Sequence, residues 1–396
     1  MALSFLTDHT SPLMRGFADE VVARWNGQHP GTPVSLSVLD HEELRDRLHA
    51  GLTGGEPPDV MTWFAGNRMR ALVDQGLMLD ISGMWRAEGF ADVYLPRFTS
   101  MTGGMGPSCF LPTSHYWWAV YYRPSVFADL GIRTPLTTWP ELTAACDRLR
   151  AAGVAPFSLG ARYRCPAAAW FDYLNMRLNG PRFHASLLEL RVPYTDSRVT
   201  KVFDFWRRLV EQEWFLGDPA AYDEEEAVAA VLRGEAGMTL VGAYATDEYT
   251  PPDEPDIDFF RFPVIDPALP VGEDTPVDGY FVAGTSPSPE EATAFLAHLG
   301  SREVQQLTIE RLTTLPTRTD VDVTRGGRHV AKGMEIVQGA DHLFQFYDLD
   351  TTWELSNTGM TAFVSFLREP SRATELLGEV EAARQEHLRE ATTAPA

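Results

Sequence analysis

His41-Glu42-Glu43-Leu44-Arg45 opens like the helix of a zinc protease, in which two imidazoles four residues apart hold a metal and a glutamate moves protons. Arg45 stands where the second imidazole must be, so the motif lacks a ligand. Gly103-Gly104-Met105-Gly106 has neither the spacing nor the final glycine of a dinucleotide-binding turn. The two lysines, Lys201 and Lys332, follow no phosphate loop, and no Gly-x-Ser-x-Gly elbow is present. The 55 acidic residues always offer some pair for acid/base work, so a glycosidase or lyase stays open as an alternative.

Aromatic residues with polar tips carry more information. His115-Tyr116-Trp117-Trp118-Ala119-Val120-Tyr121-Tyr122 is dense in them. Trp63-Phe64 ends a strand pattern just before Gly66-Asn67, and Phe344-Gln345-Phe346-Tyr347-Asp348 repeats the mixture near the C-terminus. Core packing accounts equally well for any one of these groups. Together they suit a sugar, whose C–H faces cover a ring and whose hydroxyl edges need directed carboxylate or amide partners.

The elements that position these residues alternate. Leu3 to Leu6 reads as a strand, Ser11 to Trp25 as an amphipathic helix, and Val34 to Leu39 as a second strand. Asp40-His41-Glu42-Glu43 has the form of a helix start and leads through Leu44 and Leu48 to Gly51; a short strand follows at Asp59 to Trp63. Thr138-Trp139-Pro140-Glu141 and Ser288-Pro289-Glu290-Glu291 read as capping boxes with proline in the first turn. Such alternation predicts α/β lobes with mostly parallel sheets. Of the proline- and glycine-rich passages at 103–112, 251–258, 263–276 and 315–327, three are candidate chain crossings between lobes.

At 396 residues the chain exceeds what one core organises, which predicts two domains. A formal charge of −22 argues against nucleic acid and leaves a cationic solute such as a polyamine as a second binding alternative. Asp223-Glu224-Glu225-Glu226 reads as a solvated helix start that favours the dipole. Cys109, Cys146 and Cys165 form no framework, although Cys109–Cys165 or Cys146–Cys165 pairing is geometrically open. Met1-Ala2-Leu3-Ser4-Phe5-Leu6 lacks the basic and long apolar regions of a secretion signal, and by itself reads as cytoplasmic.

Four ordered segments carry a family resemblance: Gly55-Glu56-Pro57-Pro58-Asp59-Val60; Val73-Asp74-Gln75-Gly76-Leu77-Met78-Leu79-Asp80-Ile81; the series from Leu111-Pro112 through Trp118-Ala119-Val120-Tyr121-Tyr122-Arg123, Val126 to Ile132, Pro135 and Thr138 to Leu142; and Leu232 to Gly242. The chain resembles the family 1 extracellular solute-binding proteins of ABC sugar importers, the group that includes maltose-binding protein. Arg123-Pro124 departs from that group's usual Asn-Lys. Gly66-Asn67 replaces the acidic-basic pair of maltose-binding protein, a difference that counts against maltose as the ligand.

The resemblance implies a two-lobed fold that captures a small carbohydrate by hinge closure and catalyses nothing. It places one lobe at 1–111 and 279–317 and the other at 112–278 and 318–396. Ligand contacts are expected from Asp8, His9, Trp63 and Asn67, from His115, Tyr116 and Trp117, from Tyr163, Trp170 and Tyr244, and from Asp278, Phe346, Asp348 and Trp353. Asp8 could equally cap the following helix. No cofactor and no metal is implied. The implied partners are a small carbohydrate, two permease subunits and a cytoplasmic ATPase. The implied state is a monomer outside the cytoplasm, its signal and lipid-bearing cysteine lying upstream of this sequence.

Overall fold

The computed structural model describes residues 2–55, 57–99, 108–248 and 256–393. The Gly103–Gly106 run, Glu56 and residues 251–255 lie outside them. The strands, in chain order, are β1 (Leu3–Thr7), β2 (Val34–Val38), β3 (Val60–Phe64), β4 (Leu111–His115), β5 (Trp118–Tyr122), β6 (Ala155–Ser158), β7 (Ala236–Gly242), β8 (Asp258–Phe260), β9 (Gly272–Asp274), β10 (Val277–Val282), β11 (Leu315–Pro316) and β12 (His342–Phe344). The chain divides into two compact units, residues 1–116 with 276–334 and residues 117–275 with 335–396.

The first unit holds a six-stranded sheet of order β11-β4-β10-β3-β1-β2. β1 runs parallel to β2 and β3, whereas β10 is antiparallel to β3 and β4, and β11 is antiparallel to β4. The sheet is therefore mixed, which corrects the expectation of a mostly parallel one: β10 follows the residues of the second unit in the chain and runs against β3 and β4. Strand alternation sends Val60, Tyr280 and Val282 to one face, where Phe17, Val21 and Trp25 of the helix Pro12–Gln28 and Phe295 and Leu296 of the helix Pro289–Leu299 cover them. Met61, Trp63 and Phe281 go to the other, against Leu44, Leu48 and Leu52. Asp59 shows why a proline-aspartate pair precedes β3. One carboxylate oxygen accepts from the Ser4 amide and hydroxyl, both at 2.8 Å, and the other from Ser286 Oγ at 2.6 Å. It thus ties the strand entry to β1 and to the loop after β10.

Residues 318–334 also belong to this unit. Arg318 donates to the Gly300 carbonyl at 2.9 Å, and Gln306 brackets Asp322 through its amide.

The second unit is built on the sheet β6-β7-β5-β8, in which β6 and β7 are parallel and β5 is antiparallel to both of its neighbours, so it too is mixed. Every residue of β5 and β7 is buried, as expected of strands covered on both faces. The helix Cys165–Asn179 is buried from Pro166 to Leu178. A short parallel pair, β9 with β12, lies beside it.

Local chemistry explains most boundaries. Ser11 caps the first helix by accepting from the Met14 amide at 3.2 Å, so Asp8 is not the cap. Asp223 and Glu226 form a reciprocal capping box at 2.8 and 2.9 Å. The Glu141 carboxylate accepts from the Thr137 and Thr138 amides, each at 2.9 Å. Ser288 makes no side-chain cap, and its own amide donates to Ser286 Oγ at 3.2 Å. The three cysteines are free thiols. No described helix is long and apolar enough to cross a membrane.

Candidate functional site

In the first unit, strand polarity puts the ends of β1, β3 and β4 and the start of β10 at one sheet edge. Asp8, His9, Asn67, His115, Tyr116 and Asp278 all lie there. Asp8 and Asp278 both border the buried phenol of Tyr280; burial first, and then these two charges, push that phenol up. A bulge sits between Asp278 and Gly279, where a Cβ on Gly279 would lie 2.0 Å from the Leu111 carbonyl oxygen. Asn67 begins the helix Asn67–Asp74 and accepts from Arg70 at 2.7 and 3.1 Å.

Three residues expected at this edge serve the core instead. Trp63 is 3% exposed and lies in the apolar cluster under β3, because strand alternation turns it to the face covered by Leu44 and Leu48. His115 is buried, 3.4 Å from an Arg97 nitrogen and 5.0 Å from the Phe98 ring. Burial, with the Arg97 charge second, pushes its imidazole down to about 3, so it is neutral. His9 is buried near Phe17, with a pKa that burial lowers against the opposing pull of Asp8. Tyr116 is half-buried and donates its amide to the Pro276 carbonyl at 3.2 Å.

The second unit gathers rings at the edge where β6 and β7 end and β5 begins. Trp118 stacks on Phe346, centroids 4.9 Å apart and 17° from parallel, and meets Tyr244 edge-on at 6.1 Å. The Tyr244 hydroxyl donates to a Glu224 carboxylate oxygen at 2.6 Å. Gly242 must lack a side chain, since a Cβ there would lie 2.3 Å from the Tyr244 ring. Arg162, in the loop after β6, reaches the same helix start and pairs with Asp223 and Glu226, each at 2.8 Å. That loop carries Tyr163, 49% exposed. Arg164 Nη1 lies 3.4 Å from Thr361 on the helix Trp353–Arg368, whose first residue, Trp353, is 40% exposed. Asp348 is buried in the turn that follows Phe346.

Trp117 and Trp170 do not belong to this group. Trp117 is fully buried, 5.3 Å from Phe259. Trp170 is enclosed by Phe157, Phe215 and Phe262 at 5.0, 5.1 and 5.6 Å. Two participants escaped the sequence reading. Trp118 is one residue from the expected Trp117, and on a strand that step reverses the face. Glu224 was read only as part of a solvated acidic helix start; its sequence distance from Tyr244 gave no sign of the bond.

The arrangement can bind apolar faces and hydroxyl edges together: flat rings, a phenol and a carboxylate share one edge of the unit. An uncharacterised ABC transporter extracellular-binding protein of Pyrococcus horikoshii is 25% identical over 309 residues, which cover 76% of this chain and 68% of the relative. An uncharacterised Streptomyces antibioticus lipoprotein is 25% identical over 236 residues, 57% of this chain and 48% of its own. Among solved structures, the bacterial solute receptor AcbH, described as having an exclusive preference for β-D-galactopyranose, matches with a TM-score of 0.90 and 25% identity over 98% of both chains. A chitin oligosaccharide binding protein matches with a TM-score of 0.88 and 20% identity, again over 98% of each. The model of the bacterial extracellular solute-binding proteins matches residues 8–306, three quarters of the sequence, and the chain belongs to that family.

Proposed function

We propose that this protein is the carbohydrate-capturing receptor of an ABC importer, and that it holds a mono- to oligosaccharide and delivers it to the permease. The observation that carries this reading is the Trp118–Phe346–Tyr244 ring group with Glu224 on its phenol. Rings supply faces for sugar C–H groups, and the carboxylate and phenol supply directed partners for hydroxyls. The exposed rings of Tyr163 and Trp353 extend the same surface chemistry. Asp8, Asn67, Tyr116 and Asp278 are the polar contacts proposed from the first unit, with Asp348 added from the second. Likeness to AcbH supports a sugar ligand and puts galactose first on the panel.

The proposal includes hinge closure, two permease subunits, a cytoplasmic ATPase, a monomeric receptor and a lipid anchor on the outer membrane face. The relative that is itself a lipoprotein supports the anchor. Calorimetric titration against galactose, other monosaccharides, di- and trisaccharides and polyamines, with product analysis of each mixture, tests the core of it. Micromolar or tighter binding of one sugar without turnover is expected. Binding of polyamines alone, or product formation, would overturn it.

A further inference from the structure

Three side chains deep in the second unit keep polar atoms that no hydrogen bond meets. Asp172, on the helix Cys165–Asn179, Asp274, the last residue of β9, and His184, on the helix Pro181–Leu188, are all fully buried. Both oxygens of Asp274, Oδ1 of Asp172 and Nε2 of His184 have no hydrogen-bond partner. The neighbouring acid differs: Glu273 is met by Arg177 at 2.6 Å, by Arg261 at 3.3 Å and by the Tyr173 hydroxyl at 3.0 Å. Arg177 and Arg261 thus pair with Glu273. Two buried carboxylates are costly to keep charged without a cation, and an orphaned imidazole nitrogen adjoining them adds to that.

We propose that Asp172, Asp274 and His184 are the ligands of one buried divalent cation of Zn2+ or Mn2+ chemistry. One ligand atom from each lies within 4.8 Å of the others. His184 Nε2 and Asp172 Oδ1 are 3.7 Å apart, too long for a hydrogen bond. It is roughly the edge of a tetrahedron around an ion about 2.0–2.2 Å from each ligand. Two carboxylates balance a 2+ ion, and a borderline-soft imidazole with two oxygens suits zinc or manganese better than calcium.

The surrounding amides complete the site. Asn175 lies 3.0 Å from His184 Nδ1 and accepts from Asn179 at 2.9 Å, while Asn179 also donates to the Arg198 carbonyl. In this arrangement Nδ1 accepts and the ring proton sits on Nε2. Ion capture sends the Nε2 proton to solvent, and Nδ1 takes one up. The imidazole stays neutral while the Asn175 amide turns its oxygen toward the ring, the usual outer partner of a ligating histidine. The ion would join two helices and β9. It would also hold the turn after Phe346, because Asp172 Oδ2 accepts from the Tyr347 amide at 2.8 Å.

The test uses the full chain without an affinity tag, stripped by a chelator and titrated calorimetrically with ZnCl2 and with MnCl2. Co2+ is added separately as an absorption probe. One ion per chain is expected, with a higher Tm on loading and a Co2+ visible band that His184→Gln loses. Asp274→Asn should weaken binding at least 100-fold, and Asn175→Leu about 10- to 100-fold while keeping all three ligands. Wild-type protein that binds none of the three metals stoichiometrically overturns the proposal, and this readout stands even if a variant does not fold. Equal affinity in Asp274→Asn would place the ion elsewhere and overturn it as well.

Discussion

Trp118 lies parallel to Phe346, while Trp117, the residue just before β5, is sealed against Phe259. Adjacent strand residues face opposite sides, so one indole is structural and its neighbour belongs to the candidate site. Phe346→Ala removes the ring that Trp118 stacks on without opening the core around Trp170. Phe346 is itself buried, so a stability loss of about 3–5 kcal/mol is expected, together with sugar affinity lowered about 5- to 10-fold, the worth of about 1 kcal/mol for a ring pair. Calorimetry beside a thermal melt checks it, and an unaltered Kd in a folded variant removes Phe346 from the site.

Tyr244 separates stacking from hydrogen bonding. Tyr244→Phe keeps the ring against Trp118 and deletes the donor to Glu224. A hydrogen bond to a charged acceptor contributes about 1.5–3 kcal/mol, part of which is recovered when water or a sugar hydroxyl reaches Glu224. The variant should therefore bind about 3- to 10-fold more weakly, and Tyr244→Ala more weakly still. If the two substitutions give the same Kd, the ring contributes nothing.

Tyr163 and Trp353 are solvent-exposed rings, so their removal tests binding with little effect on folding. Tyr163→Ala and Trp353→Ala should each shift stability by less than about 0.5 kcal/mol. For an oligosaccharide the expected loss is severalfold per ring, and for a monosaccharide smaller, because one pyranose covers fewer rings. Equal losses for short and long sugars would contradict an extended surface.

Trp170 gives the opposite pattern. Phe157, Phe215 and Phe262 close around it, and Trp170→Ala should cost about 3–5 kcal/mol in a denaturant titration. A mild loss of stability with a large loss of affinity would return it to the binding surface.

These contrasts show what a sequence reveals. Helix starts were legible where the cap is local: Ser11, Asp223 with Glu226, and Glu141 act on backbone groups within four residues. Strands β1, β2 and β3 followed from apolar runs. The antiparallel placing of β10 was not legible, since it depends on the chain's return from a distant segment. At the site, residue type identified aromatic clusters but not which ring stands at a sheet edge. Trp63, Trp117 and Trp170 have the chemistry of a sugar contact and the surroundings of a core, whereas Trp118 and Phe346, equally buried, stand where β7 ends and β5 begins. Asp172, His184 and Asp274 come together only through the packing of two helices on β9, which no spacing announces.

Glu141 supplies a pH test at a helix start. Its carboxylate accepts two backbone amides and the Thr137 hydroxyl, all at 2.9 Å. Those bonds, the Thr137 and Thr138 amides foremost, hold its pKa down at about 2. In the unfolded chain a glutamate titrates near about 4.3. A folded-state pKa below the unfolded one means that the contribution is fully present above about 4.3 and is lost as pH falls toward 2. Glu141→Gln keeps an acceptor and deletes the charge. Its Tm should therefore lie below wild type at pH 7 by an amount that stays constant up to neutral and alkaline pH, and the gap should close between about pH 4.3 and pH 2. Thermal melts of both proteins across that range decide the matter: a gap that persists unchanged at pH 2 would mean that the cap works through shape alone and that its charge contributes nothing.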